Sequence, residues 1–204
     1  MMSRLTLLAA YVAFATLPLH TAQATQTQCD RVAFLSVGPS SSSTYTSSSS
    51  RHDHHPTAQQ IVAKLGLVPN VERGYYVETF RDDALLPGTT SNRSVSTAIY
   101  YLLEGPDAPS VWHRVDAAEV WHWYAGAPLV LQLSSDNGTA TRNHVLGPDV
   151  LGHQRPQVVV PGLDWQRAIS CGKWTLVGTT VAPAFVPEGY ELAPDGWEPN
   201  DGSA

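Results

Sequence analysis

The sequence has little positive charge. It contains two lysines, Lys64 and Lys173, and its 12 basic residues are outnumbered by 18 acidic ones, which gives a formal net charge of −6. Binding to nucleic acid or to an anionic membrane requires clustered Lys and Arg that neutralise phosphates. This composition therefore argues against both classes of partner. Gly-rich phosphate loops, a Ser-His-Asp order and zinc-finger spacing are also missing from the sequence.

The N-terminus has the three parts of a secretory signal peptide. A short basic start that includes Arg4 is followed by an apolar run over residues 5–19, and Ala22-Gln23-Ala24 is a small-x-small cleavage site. The run is shorter than the about 20 apolar residues that a transmembrane helix needs. We therefore predict that residues 1–24 are a signal peptide and that the protein is secreted.

Residues 25–57 are rich in serine and poor in apolar side chains. Such a segment buries too little apolar surface to offset its ordering entropy, which predicts a disordered leader or an O-glycosylated linker. In an oxidising compartment the even cysteine count favours one disulfide between Cys29 and Cys171. The sequons at Asn92 and Asn137 predict N-glycosylation.

Residues 58–204 remain for folding, which fits one domain. Ile61, Val62 and Leu65 have helical spacing, with Thr57 as N-cap and Gly66 where the helix stops. After this helix, β-branched and aromatic runs alternate with Gly- and Pro-containing turns. The predicted strands cover residues 74–80, 96–103, 111–115, 119–124, 129–133, 158–160 and 173–181. Many short strands, separated by turns about every ten residues, predict an all-β sandwich or barrel.

Five blocks, in order along the chain, resemble the cupin family of unknown function often labelled cupin type 5. They are ERGYYVET at 72–79, STAIYYLL at 96–103, WHRVDAAEVWHWYAG at 112–126, RPQVVVP at 155–161 and WTLVG at 174–178 followed by APAF at 182–185. The resemblance implies a small β-barrel of the double-stranded jelly-roll type, with one short N-terminal helix. It also implies a homodimer that covers an exposed strand edge. It leaves activity open, since this barrel serves oxygenases, isomerases, epimerases, storage proteins and binding domains.

The same resemblance bears on metal binding. His113 and Glu119 match a histidine and the glutamate of the first motif of metal-binding cupins. Val115 replaces the second histidine of that motif, and Gln166 stands where the second motif ends in histidine. The implied ligand set is His113, Glu119 and Gln166, in which the neutral amide is a poor ligand for zinc or iron. A divalent metal is therefore possible but not favoured.

Strand alternation predicts which side chains face the barrel interior. His113, Glu119, Trp121 and Trp123 would point inward, and His122 would point outward unless a bulge intervenes. With a bulge, His113, Glu119 and His122 form a proton-transfer set. Without one, His122 belongs to a packing or dimer surface.

Aromatic and amide side chains are candidates for the lining of a ligand pocket, although aromatic residues are as often barrel core. The candidate substrate-binding residues are Tyr76, Tyr100, Trp121, Trp123, Gln157 and Gln166. Three function classes follow. We expect a cofactor-independent isomerase, epimerase or cyclase that acts on a small secreted or secondary metabolite. A metal-dependent oxidoreductase and a non-catalytic binding protein are the alternatives.

Overall fold

One helix precedes eleven strands in the part of the chain that the computed structural model describes, namely Cys29, residues 56–88 and residues 93–202. The predicted signal peptide, the sequon residue Asn92 and nearly all of the predicted leader lie outside these residues. Helix α1 spans Ala58–Leu65. It begins at a capping box in which the Thr57 side chain accepts from the Gln60 backbone, and it ends at Gly66 with φ +66°. The predicted helix and both of its caps are confirmed.

The strands form two antiparallel sheets that face each other. The six-stranded sheet has the order β1-β2-β3-β10-β5-β8, and the five-stranded sheet has the order β11-β4-β9-β6-β7. Their bounds are β1 Val68–Pro69, β2 Tyr75–Arg81, β3 Thr97–Glu104, β4 His113–Val115, β5 Ala118–Gly126, β6 Leu129–Ser134, β7 Arg142–Leu146, β8 Gln157–Val160, β9 Trp165–Ser170, β10 Trp174–Ala182 and β11 Tyr190–Leu192. A 3-10 turn, Pro187–Gly189, precedes β11. The predicted all-β barrel with one helix is confirmed.

The interior between the sheets differs from one end to the other. At one end, inward side chains from both sheets form the main apolar core, which includes Leu103, Leu131, Leu146 and Val177. Each of these four is at most 1% exposed. Toward the other end, a few polar and charged side chains, such as Thr97 on β3, join aromatic and apolar ones around a cavity. The barrel is therefore solid at one end and hollow at the other.

A disulfide joins Cys29 to Cys171, just after β9, with a Cα–Cα distance of 5.1 Å. Cys29 is buried against Val130 and Ile169 on the outer face of the five-stranded sheet. The second sequon residue, Asn137, is exposed in the turn between β6 and β7. Among the described residues, no helix is both long and apolar enough to cross a membrane.

Candidate functional site

A cavity of about 310 Å³ occupies the hollow end of the barrel. Its aromatic and apolar walls include Tyr76, Ile99, Tyr101, Trp121 and Phe185. Its ionisable side chains are Glu72, Glu78, Arg81, His113, Glu119 and Tyr190. An apolar pocket with a few convergent polar groups is the usual form of a small-molecule site.

His113 begins β4 and is 3% exposed. Its Nδ1 lies 2.9 Å from the carbonyl oxygen of Val111. Because a carbonyl oxygen only accepts hydrogen bonds, Nδ1 carries the proton and Nε2 of the neutral ring presents its lone pair. Nε2 lies 3.6 Å from Oε2 of Glu72. The imidazole is thus held in one tautomer with its basic nitrogen facing a carboxyl group.

Glu72 reaches this position from the turn between β1 and β2. Its backbone carbonyl accepts a hydrogen bond of 3.0 Å from the Val111 amide, the residue that also fixes the His113 ring. The pKa of Glu72 is raised from its ordinary value of 4.5, chiefly because burial penalises the charged form. His113 and hydrogen bonds from Tyr190 and Asn70 oppose this change, whereas the negative charge of Glu119 raises the pKa further. Glu72 is therefore a buried carboxyl group that holds its proton more tightly than usual and lies beside the basic nitrogen of His113.

Glu119 is held by a buried relay of hydrogen bonds. The Gln166 side-chain amide donates from Nε2 to Oε2 of Glu119, and its Oε1 accepts from the Trp121 indole over 2.9 Å. Since an indole nitrogen only donates, this contact fixes the orientation of the amide. Gln166 is fully buried and is absent from the cavity lining. It therefore contacts Glu119 on the side away from the cavity.

Tyr190, on β11, completes the ionisable cluster. Its ring centroid lies 5.9 Å from that of His113. Its buried hydroxyl lies beside the Glu72 carboxyl and acts on it as a hydrogen-bond donor, although the contact falls short of ideal geometry. Burial raises the pKa of Tyr190 far above its ordinary value of 10, and the negative charge of Glu72 adds to this effect. The phenol therefore stays protonated and can donate into the cavity.

Some of the residues predicted from the sequence to form the site line the cavity, and others do not. Four of them line the cavity: His113, Glu119, Tyr76 and Trp121. Trp123, Tyr100 and Gln157 do not line it. Trp123 packs on the apolar core, and its indole donates to the Ala127 carbonyl. Tyr100 packs among the residues beneath α1, and Gln157 is exposed on the edge strand β8.

His122 also lies outside the cavity, which corrects its assignment to a proton-transfer set. Its ring stacks on Tyr124 and its Nδ1 is 3.4 Å from Nε2 of Gln157. A bulge does interrupt β5, since Val177 of β10 faces Trp123 while the preceding residue faces Ala125. The bulge comes after His122, so the alternation still directs this side chain outward.

The predicted metal set does not fit the site. The Gln166 oxygen that would coordinate a cation is occupied by the Trp121 indole, and the amide nitrogen faces Glu119. An amide nitrogen is no metal ligand, so His113 and Glu119 lose their third partner. Within residues 56–88 and 93–202, no group of three His, Cys, Asp or Glu side chains is arranged to hold a metal ion.

Sequence reasoning missed Glu72 and Tyr190. Glu72 is the first residue of the first block on which the family resemblance rests, but it lies outside any strand and carries no periodic signal. Tyr190 belongs to a three-residue strand that pairs with β4, where it faces Val115. A strand so short leaves no readable alternation in the sequence.

With this geometry in place, comparison with known proteins identifies the family. The model of the Cupin superfamily (DUF985) matches residues 59–193. The chain belongs to this family. Solved structures similar to it include a protein of Shewanella oneidensis, with 28% identity and a TM-score of 0.62, covering 68% of this chain and 85% of that one. A hypothetical protein from Leishmania major has 29% identity and a TM-score of 0.61, covering 67% and 86% of the two chains. No curated protein matches the sequence of this cupin.

Proposed function

We propose that this cupin binds a small metabolite in its barrel cavity and transfers a proton on it without a cofactor, as an isomerase, epimerase or cyclase does. The observation that carries the proposal is the arrangement of His113. Its tautomer is fixed by Val111, its basic Nε2 faces Glu72, and the residue lines the cavity. A positioned imidazole is the most frequent agent of such chemistry.

The proposed step uses the cavity side chains alone. Nε2 of His113 takes a proton from an acidic carbon of the ligand, and Glu72 stabilises the resulting imidazolium by its negative charge. Tyr190 donates a hydrogen bond to the oxygen on which negative charge develops. The imidazolium then returns the proton to the same or a neighbouring carbon, so the cycle consumes no co-reactant.

Glu119 has a positioning role in this scheme. Gln166 and Trp121 hold its carboxylate in one place at the cavity wall. Rigid placement of charge around a reacting centre lowers the reorganisation that the reaction requires. The buried charges of Glu119 and Glu72 are costly in an apolar barrel, which favours a functional role over a structural one.

The test is exchange of a ligand carbon-bound proton with deuterium oxide, followed by NMR. Ligands are first found among small sugars and phenolic metabolites by thermal stabilisation, because saturation at about 100 times Kd stabilises a fold by about 2.7 kcal/mol. Loss of a general base typically costs about 10² to 10⁴-fold in rate. We expect His113→Ala to slow exchange by that factor with ligand binding retained, and Glu119→Gln to slow it as well.

His122→Ala is the matched control, since His122 is a histidine of β5, the next strand along the chain, and does not line the cavity. Equal losses in His113→Ala and His122→Ala would contradict the proposal, as would an unchanged rate in His113→Ala. Chelation should leave the wild-type rate unchanged. If chelation abolishes exchange and a divalent metal restores it, the oxidoreductase alternative is favoured. If ligands bind but no proton exchanges, the barrel is a binding module.

Secretion and homodimer formation stay predictions.

A further inference from the structure

The charges that face the cavity are unbalanced. Three carboxylates line it, from Glu72, Glu78 and Glu119, against one guanidinium, from Arg81. Arg81 is already occupied, since it donates to both carboxylate oxygens of Glu78 over 2.9 and 2.7 Å and to the Phe185 carbonyl over 3.3 Å. This leaves Glu72 and Glu119 without a fixed positive partner in the described lining, apart from His113 when it is protonated.

We propose that the cavity selects a small positively charged ligand, an amine in its ammonium form, and rejects anionic ones. The inference deepens the proposed function, because it concerns the ligand of the same cavity. A neutral ligand would exclude water from Glu72 and Glu119 and leave their charges uncompensated, which is costly in an apolar site. A carboxylate or phosphate ligand would add like-charge repulsion. An ammonium group provides the missing positive charge.

The shape and chemistry of the walls agree with this class of ligand. The aromatic rings of Tyr76, Tyr101, Trp121, Phe185 and Tyr190 all border the cavity. Aromatic faces attract ammonium groups, most strongly where water is excluded. The volume of about 310 Å³ lies at the small end of the range for ligand pockets. The mutual effect of the two carboxylates is visible in Glu72, whose pKa the charge of Glu119 helps to raise.

Tyr190 borders the same cavity and interacts with Glu72 through a side-chain hydrogen bond that favours the ionised carboxylate. A phenol supplies no positive charge, so this contact leaves the charge of the cavity unbalanced. An ammonium group of a ligand remains the missing counter-charge.

The experiment compares three probes with the same ring and different charge: cyclohexylamine, cyclohexanol and cyclohexanecarboxylate. Their binding to the purified protein is measured by calorimetry at neutral pH. We expect cyclohexylamine to bind at least about tenfold more tightly than cyclohexanol, and cyclohexanecarboxylate to bind more weakly than either. Tightest binding of the alcohol or the carboxylate would overturn the inference. Failure of all three to bind would overturn it too, because the cavity would then not accept a ring with a positive charge.

Variants test whether the cavity carboxylates are responsible. Glu119→Gln keeps the side-chain shape and removes the charge, so it should weaken cyclohexylamine by at least about tenfold while leaving cyclohexanol unchanged. Glu72→Gln serves the same purpose if the first variant does not fold. Glu188→Gln is the control, since Glu188 is exposed in the neighbouring 3-10 turn and does not line the cavity. An equal loss in the control, or no loss in the cavity variants, would refute the assignment. These binding measurements need no turnover, so their result is separate from the proton-exchange test.

Discussion

Replacing Gln166 by leucine tests the buried relay that holds the candidate site together. Gln166 is fully buried, and its amide satisfies the Trp121 indole on one side and the Glu119 carboxylate on the other. Trp121 and Glu119 are themselves 1% and 6% exposed, so water has little access to either. Leucine has similar volume but no polar atom. The change therefore leaves one buried donor and one buried anionic acceptor unpaired.

Each unsatisfied buried polar group costs about 1–3 kcal/mol, and a charged one costs more. We therefore expect Gln166→Leu to lower the free energy of unfolding by about 2–6 kcal/mol, a large part of the about 5–15 kcal/mol available to a typical domain. The measurement is urea unfolding followed by circular dichroism, with the disulfide intact.

Gln157→Leu is the matched control, because it makes the same substitution on a strand at an exposed position. Its effect should stay within about 0.5 kcal/mol. If Gln166→Leu costs no more than this control, water from the cavity replaces the amide. The relay would then not be what positions Glu119.

Two further predictions concern pH and the disulfide. Because the folded-state pKa of Glu72 is raised, its ionisation destabilises the fold as pH rises above 4.5. The stability of Glu72→Gln relative to wild type should therefore increase from acid to neutral pH. The increase should be about 1.4 kcal/mol for each pH unit by which the pKa of Glu72 is higher in the folded than in the unfolded protein. A difference in thermal unfolding that does not change with pH would contradict this. Non-reducing digestion and mass spectrometry should show the Cys29–Cys171 cross-link, and two free thiols would refute it. Replacing both cysteines by serine should lower the free energy of unfolding by about 2–5 kcal/mol.

Sequence alone predicted the strands whose pattern is strong. Strand β10 is rich in Thr and Val, and the inward set of β5 follows from simple alternation, which placed Glu119 and Trp121 correctly. Strand β9 was missed because its inward residues are the polar Gln166, the small Ala168 and the polar Ser170. Such a strand reads as a loop, although it lies in the centre of its sheet.

The site was only half predictable for a related reason. His113 and Glu119 lie on strands, so their orientation follows from the pleat. Glu72 owes its position to a turn in which Arg73 and Gly74 both have positive φ, 74° and 66°. It also depends on a long-range hydrogen bond to Val111. Neither the turn geometry nor a contact between distant segments has a local signature in the sequence.

The order of the strands has a consequence for biosynthesis. The cavity combines Glu72, which precedes most of the strands, with Tyr190 on β11, which among the described residues lies at the edge of its sheet and pairs with β4. Since the ribosome makes the chain from its N-terminus, the histidine and both buried carboxylates emerge before the phenol that faces them. The nascent protein can thus form most of its barrel while the cavity still lacks one wall. The complete ligand site exists only once Tyr190–Leu192 have been synthesised and have paired with β4.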